Sequence, residues 1–71
     1  MHIRFTSSLT PEDENLIAPA LLKAFAAILD LLPIAYSIRI ETCDSQTYHH
    51  AGTAAASGAR ARLDDVRAEL V

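Results

Sequence analysis

Two prolines bracket the longest apolar stretch of the chain, and this arrangement limits the fold more than any other feature of its 71 residues. Pro11 follows Thr10 and precedes Glu12, Asp13 and Glu14. That is the pattern of a helix start: a hydroxyl N-cap, a proline where its missing N–H costs nothing, and acids facing the positive dipole end. Pro33 closes the stretch, since proline cannot continue a helix. A helix is therefore expected from about residue 11 to 32. Ile17, Leu21, Phe25, Ile28 and Leu32 recur at helical spacing, Leu22 and Leu29 widen the stripe, and Lys23 and Asp30 mark the wet side. Pro19 interrupts this pattern and requires a kink or a short separate first turn.

The flanking segments carry a different period. From His2 to Leu9, Ile3 and Phe5 fall on one face and His2, Arg4 and Thr6 on the other, as in a half-buried strand. Ile34 to Thr42 alternates in the same way, with Ile34, Tyr36, Ile38 and Ile40 opposite Ala35, Ser37, Arg39 and Glu41. Asp44, Ser45 and Gln46 are turn-like, and Thr47 to Ala51 returns as a short strand. Residues 53–58 read as a linker of small side chains. From Ser57, a cap candidate, Ala59, Leu63, Val66 and Leu70 form a narrow helical stripe, and Arg60 and Asp64 sit four apart, so residues 59–71 are expected to form an amphipathic helix.

The expected class is thus α+β: one domain over residues 1–71, with a βαβ core and short β-hairpin in 1–52, a linker in 53–58 and a C-terminal helix in 59–71. Strand, helix and strand in this order form one βαβ crossover with parallel strands. Two strands cannot cover one face of so long a helix, so a sheet completed by a second subunit is expected. Composition agrees: 51% of residues are hydrophobic, 21% are charged, and the single cysteine, Cys43, excludes an internal disulfide. A small, apolar chain without a covalent staple is expected to be a homo-oligomer in the cytoplasm.

Other classes are excluded by charge and patterning. The net charge is −3 and the six basic residues are scattered along the chain, which argues against nucleic acid as a partner. The apolar run from Leu16 to Ile34 contains Pro19, Lys23, Asp30 and Pro33, too many interruptions for a membrane span. The N-terminal residues lack the apolar core of a signal peptide.

Three stretches, LTPEDENLI at the helix start, LLPIAYSIRIET across its exit and HHAGTAAASG in the hairpin, together resemble the tautomerase superfamily, of the 4-oxalocrotonate tautomerase type. The resemblance spans roughly residues 2 to 58. It implies βαβ units that pair through a shared, ferredoxin-like four-stranded sheet, assembling as a dimer, trimer or hexamer. It also implies a keto–enol isomerase acting on small carboxylate-bearing substrates, without cofactor or metal. Family members use an amino-terminal proline whose amine, in an apolar pocket, stays neutral and basic. This sequence has His2 at that position, and so bulky a second residue is expected to keep Met1 in place. The Met1 amine and the His2 imidazole become the candidate catalytic bases. Arg39 matches the family arginine that grips a substrate carboxylate with its two-pronged guanidinium. His50 falls where the family places an aromatic wall from a neighbouring subunit. The second family arginine is missing, residues 7 to 11 being SSLTP. Activity is accordingly expected to be weak or absent; the alternative is a non-enzymatic interaction or small-ligand module.

The same residues admit plainer readings. His2 suits an exposed strand position, and Arg39 a surface ion pair with Glu41. His49 and His50 are neighbours on a strand, so their rings diverge and cannot chelate one ion. Cys43 reads as a small buried residue at a strand end, and Glu12, Asp13 and Glu14 as ordinary helix-start acids.

Overall fold

The computed structural model describes residues 1–52 and 61–71. The linker expected over 53–58 lies outside the described residues. The elements are β1 (His2–Phe5), α1 (Pro11–Leu29), β2 (Ile34–Glu41), β3 (Thr47–Gly52) and β4 (Ala61–Leu70).

The helix begins as its sequence dictates. The Thr10 hydroxyl accepts from the Asp13 N–H at 3.2 Å, and Pro11 occupies the first turn. Pro19 lies within a continuous helix rather than ending a separate turn. Lacking an N–H, it leaves the Asn15 carbonyl without its helical donor. The Tyr48 hydroxyl of β3 lies 3.3 Å from that carbonyl and 2.7 Å from the Asn15 side-chain oxygen. The helix stops at Leu29, three residues before the expected end. Leu31 and Leu32 donate to Ile28 and Leu29, a tightened turn before Pro33.

Four strands form one sheet in the order β1-β4-β2-β3. β4 is parallel to both β1 and β2, and β3 runs antiparallel to β2, closing the expected hairpin. The described residues therefore form a small α+β domain with a mixed sheet and one helix. Ile34, Tyr36, Ile38 and Ile40 of β2 join Val66, Ala68 and Leu70 of β4 and Ala18 of α1 in the buried core.

The expected C-terminal helix is not what forms: residues 61–70 are a strand, placed between β1 and β2. The reason is a β-bulge. The partner of Tyr36 is Leu63, but the partner of Ile38 is Val66, so one extra residue is accommodated between them. A spacing of three, which suggests a helix in the sequence, thereby puts Leu63 and Val66 on the same face of a strand. Val66, Ala68 and Leu70 become almost fully buried. Covering a valine or leucine is worth about 1.5–3 kcal/mol each, more than the helix propensity of nearby Ala, Arg and Glu can offset. A consequence is that β1 and β2 are not neighbours. The place between them is filled by β4 of the same chain.

Among the described residues no helix is long and apolar enough to cross a membrane.

Candidate functional site

Among the described residues α1 covers one face of the sheet and no element covers the other, toward which alternate residues of β1, β2 and β3 and Arg62, Arg67 and Glu69 of β4 point. The registers pair His2 with Arg67, Arg67 with Arg39, and Arg39 with His49. These four residues form a row across all four strands, about 14 Å long at ordinary strand spacing. The next row is Arg4, Glu69, Glu41 and Thr47. Arg62, opposite Ala35, belongs to the same face. Thus Arg4, Arg39, Arg62 and Arg67, out of six basic residues, collect on one surface. They are scattered in sequence but gathered by strand alternation and by the order of strands.

The two carboxylates lie lower than the cations above them. Glu69 is 19% exposed and Glu41 27%, against 37% for Arg39 and Arg67 and 72% for Arg4. Arg67 bridges both acids, with its terminal nitrogen 3.1 Å from Glu41 and 3.0 Å from Glu69. Arg39 Nε is 3.6 Å from Glu41, so the plain ion-pair reading of Arg39 is present in the structure. His2 Nε2 is 3.1 Å from Glu69, and this contact holds the Glu69 carboxyl below its usual range. A carboxylate there favours the tautomer with its proton on Nε2, which leaves Nδ1 as the basic nitrogen. The Met1 carbonyl accepts from the Arg67 N–H at 2.8 Å, anchoring the chain start beside the same row.

The structure thus brings together His2, Met1 and Arg39 with Glu41, the ion-pair partner expected for Arg39, and adds Arg67 and Glu69, which sequence reasoning missed. Arg67 was hidden because the segment around it reads as a helix. His50 is not brought to this place. It pairs with Ile38 on the helix-covered side, its ring 6.1 Å from that of Tyr36, so only a second copy could present it to the open face. His49 points to the open face and is hydrogen-bonded to Ser37 at 3.2 Å. The divergence of the two rings follows the strand geometry.

A second polar group ties the first turn of α1 to the β2–β3 turn. Glu14, expected as an ordinary helix-start acid, is 1% exposed and accepts the Cys43 N–H at 2.8 Å. That bond lowers the Glu14 carboxyl, and the carboxylate in turn raises the Cys43 thiol. Cys43 is exposed, not buried, and its raised thiol is a poor nucleophile. Asp44 is lowered by its bond from the Thr42 hydroxyl and also accepts from Asn15. The described residues hold no group of three or more His, Cys, Asp or Glu that could bind a metal.

Comparison with family models, curated proteins and solved structures gave no match to this chain.

Proposed function

We propose that the open sheet face binds a small carboxylate-bearing ligand, with weak or absent keto–enol isomerase activity, in a tautomerase-like arrangement. The observation that carries this reading is the row His2, Arg67, Arg39, His49. Two guanidiniums on adjacent strands, held beside Glu41 and Glu69, have the fork geometry that grips a carboxylate. A carbon next to a carbonyl in the same ligand would then lie toward β1. There His2 Nδ1 or the Met1 amine takes a proton from that carbon and returns it to another position, while an arginine balances the enolate charge. No cofactor enters this scheme. The β1–α1–β2 order and the hairpin support the tautomerase-like reading, whereas the insertion of β4 departs from it.

The test is ketonisation of an aryl enolpyruvate over about pH 6 to 9, alongside an NMR titration with a small dicarboxylate. Activity reduced in both Arg39→Ala and His2→Ala supports catalysis; no rate above buffer overturns it. Dicarboxylate shifts confined to the strands of the open face, lost in Arg39→Ala, support binding; their absence removes the ligand as well.

A second reading, a homo-oligomeric interaction protein without catalysis, is favoured by one observation. Leu16 and Ile28 of α1 and Leu31 just beyond its end are 75%, 60% and 80% exposed. Sedimentation showing a folded monomer at micromolar concentration would remove it.

A further inference from the structure

A pocket of about 380 Å³ opens on the helix-covered side, where the end of α1 meets the start of β2 and the end of β3. Asp30, Leu31, Leu32, Pro33, Tyr36 and Gly52 line it. Two features here are unfavourable in themselves, and a third shapes the pocket. Asp30 caps the C-terminal end of α1, where the helix dipole is negative and cations are preferred, yet the last turn has no basic residue. Among the described residues Asp30 has no cationic partner; its carboxylate accepts a hydrogen bond from the Tyr36 hydroxyl at 2.5 Å. Leu31 and Leu32 are 80% and 48% exposed at the pocket wall. Tyr36 is held as an aromatic wall by a close approach that only glycine at position 52 permits, since a Cβ there would lie 2.3 Å from its ring.

The geometry points to a binding site for a small organic cation, a primary ammonium with a short apolar or aryl body. The ammonium pairs with Asp30 at the negative helix end and lies near the Tyr36 ring, while the apolar body covers Leu31, Leu32 and Pro33. A volume of this size suits a ligand of few heavy atoms. Anions are repelled by both Asp30 and the dipole. The site lies on the opposite side of the sheet from the arginine row and selects the opposite charge, so it stands or falls independently of the carboxylate reading.

The experiment is a titration of the isotope-labelled protein with 2-phenylethylamine, followed by amide chemical shifts, with 2-phenylethanol as the neutral control. The expected result is shifts confined to residues around 30–36 and 50–52, with the amine binding about tenfold or more tightly than the alcohol. Asp30→Asn should remove that preference. Tyr36→Phe, which keeps the ring, should retain most of it. Equal binding of amine and alcohol, unchanged amine affinity in Asp30→Asn, shifts located elsewhere, or no shift at about 20 mM amine would each overturn the proposal. Should Asp30→Asn fail to fold, the amine and alcohol comparison in the parent protein decides.

Discussion

Individual residues in this molecule carry obligations that only their partners reveal. Pro19 frees the Asn15 carbonyl, and Tyr48 answers it from another strand. Removing the hydroxyl in Tyr48→Phe should cost about 1–3 kcal/mol by leaving a part-buried acceptor unsatisfied. In a Pro19→Ala background the restored N–H takes over the carbonyl, so the cost should shrink; a double-mutant cycle by urea unfolding reads the difference. If the cost is the same in both backgrounds, the two residues are not linked. Gly52 is needed for a different reason. An added methyl group would strike the buried Tyr36 ring, so Gly52→Ala should destabilise by about 1–3 kcal/mol, measured by the same unfolding. Tyr36 itself is pushed up to about 12 by its bond to Asp30 and by burial. Its phenol should ionise near that value in an ultraviolet titration, and earlier in Asp30→Asn.

At the level of elements, α1 and the β2–β3 hairpin behave as their sequences suggest, whereas β4 does not. Its helix-like spacing of apolar residues is resolved by the bulge between Leu63 and Val66, and its flanking strands provide the surface that a lone helix would have lacked. Deleting Asp64 removes the extra residue and leaves Leu63 and Val66 two apart, the spacing of a regular strand, so both should stay on the core face and the melting temperature should change little. A collapse of the melting temperature on this deletion would contradict the bulge. Amide exchange offers an independent check. As a central strand bonded on both sides, β4 should hold its slowest amides in Val66–Leu70, protected close to the global unfolding limit. Rapid exchange there would be inconsistent with a central strand.

Among the described residues, the sheet gathers its arginines on one side. Arg4, Arg39, Arg62 and Arg67 share the open side with Glu41 and Glu69, while Glu12, Asp13 and Glu14 lie in the first turn of the helix and Asp30 at its end. Three carboxyls, Glu14, Asp44 and Glu69, are held below their ordinary values of 4.5, 3.8 and 4.5. A lowered carboxyl contributes stability that is complete above its unfolded value and is lost as pH falls through its folded one. Stability should therefore be level from neutrality to about pH 5 and decline below about 4.5. Tyr36 acts at the other extreme: its contribution is complete below its ordinary value of 10.0 and is lost as pH rises through about 12. Thermal melts across pH check both limbs, and an acid limb beginning above pH 6 would contradict the assignment of the lowered groups.

What the sequence determined by itself was local. Thr10 and Pro11 start the helix, Pro33 sets a limit that the helix stops short of, and the alternation of Ile34, Tyr36, Ile38 and Ile40 builds the central face, because each rests on backbone preference or a short period. Even the divergence of His49 and His50 was legible, since it needs only the pleat of a strand. Tertiary structure decided the rest. Whether Leu63, Val66 and Leu70 line a helix or a bulged strand depends on whether β1 and β2 leave room between them, a fact held by no segment alone. That placement brings Arg67 beside Arg39 and His2, while the packing of α1 against the β2–β3 hairpin buries Glu14 at Cys43. Each of these is a contact between residues far apart in the chain, and its energy exists only once the elements have chosen their neighbours.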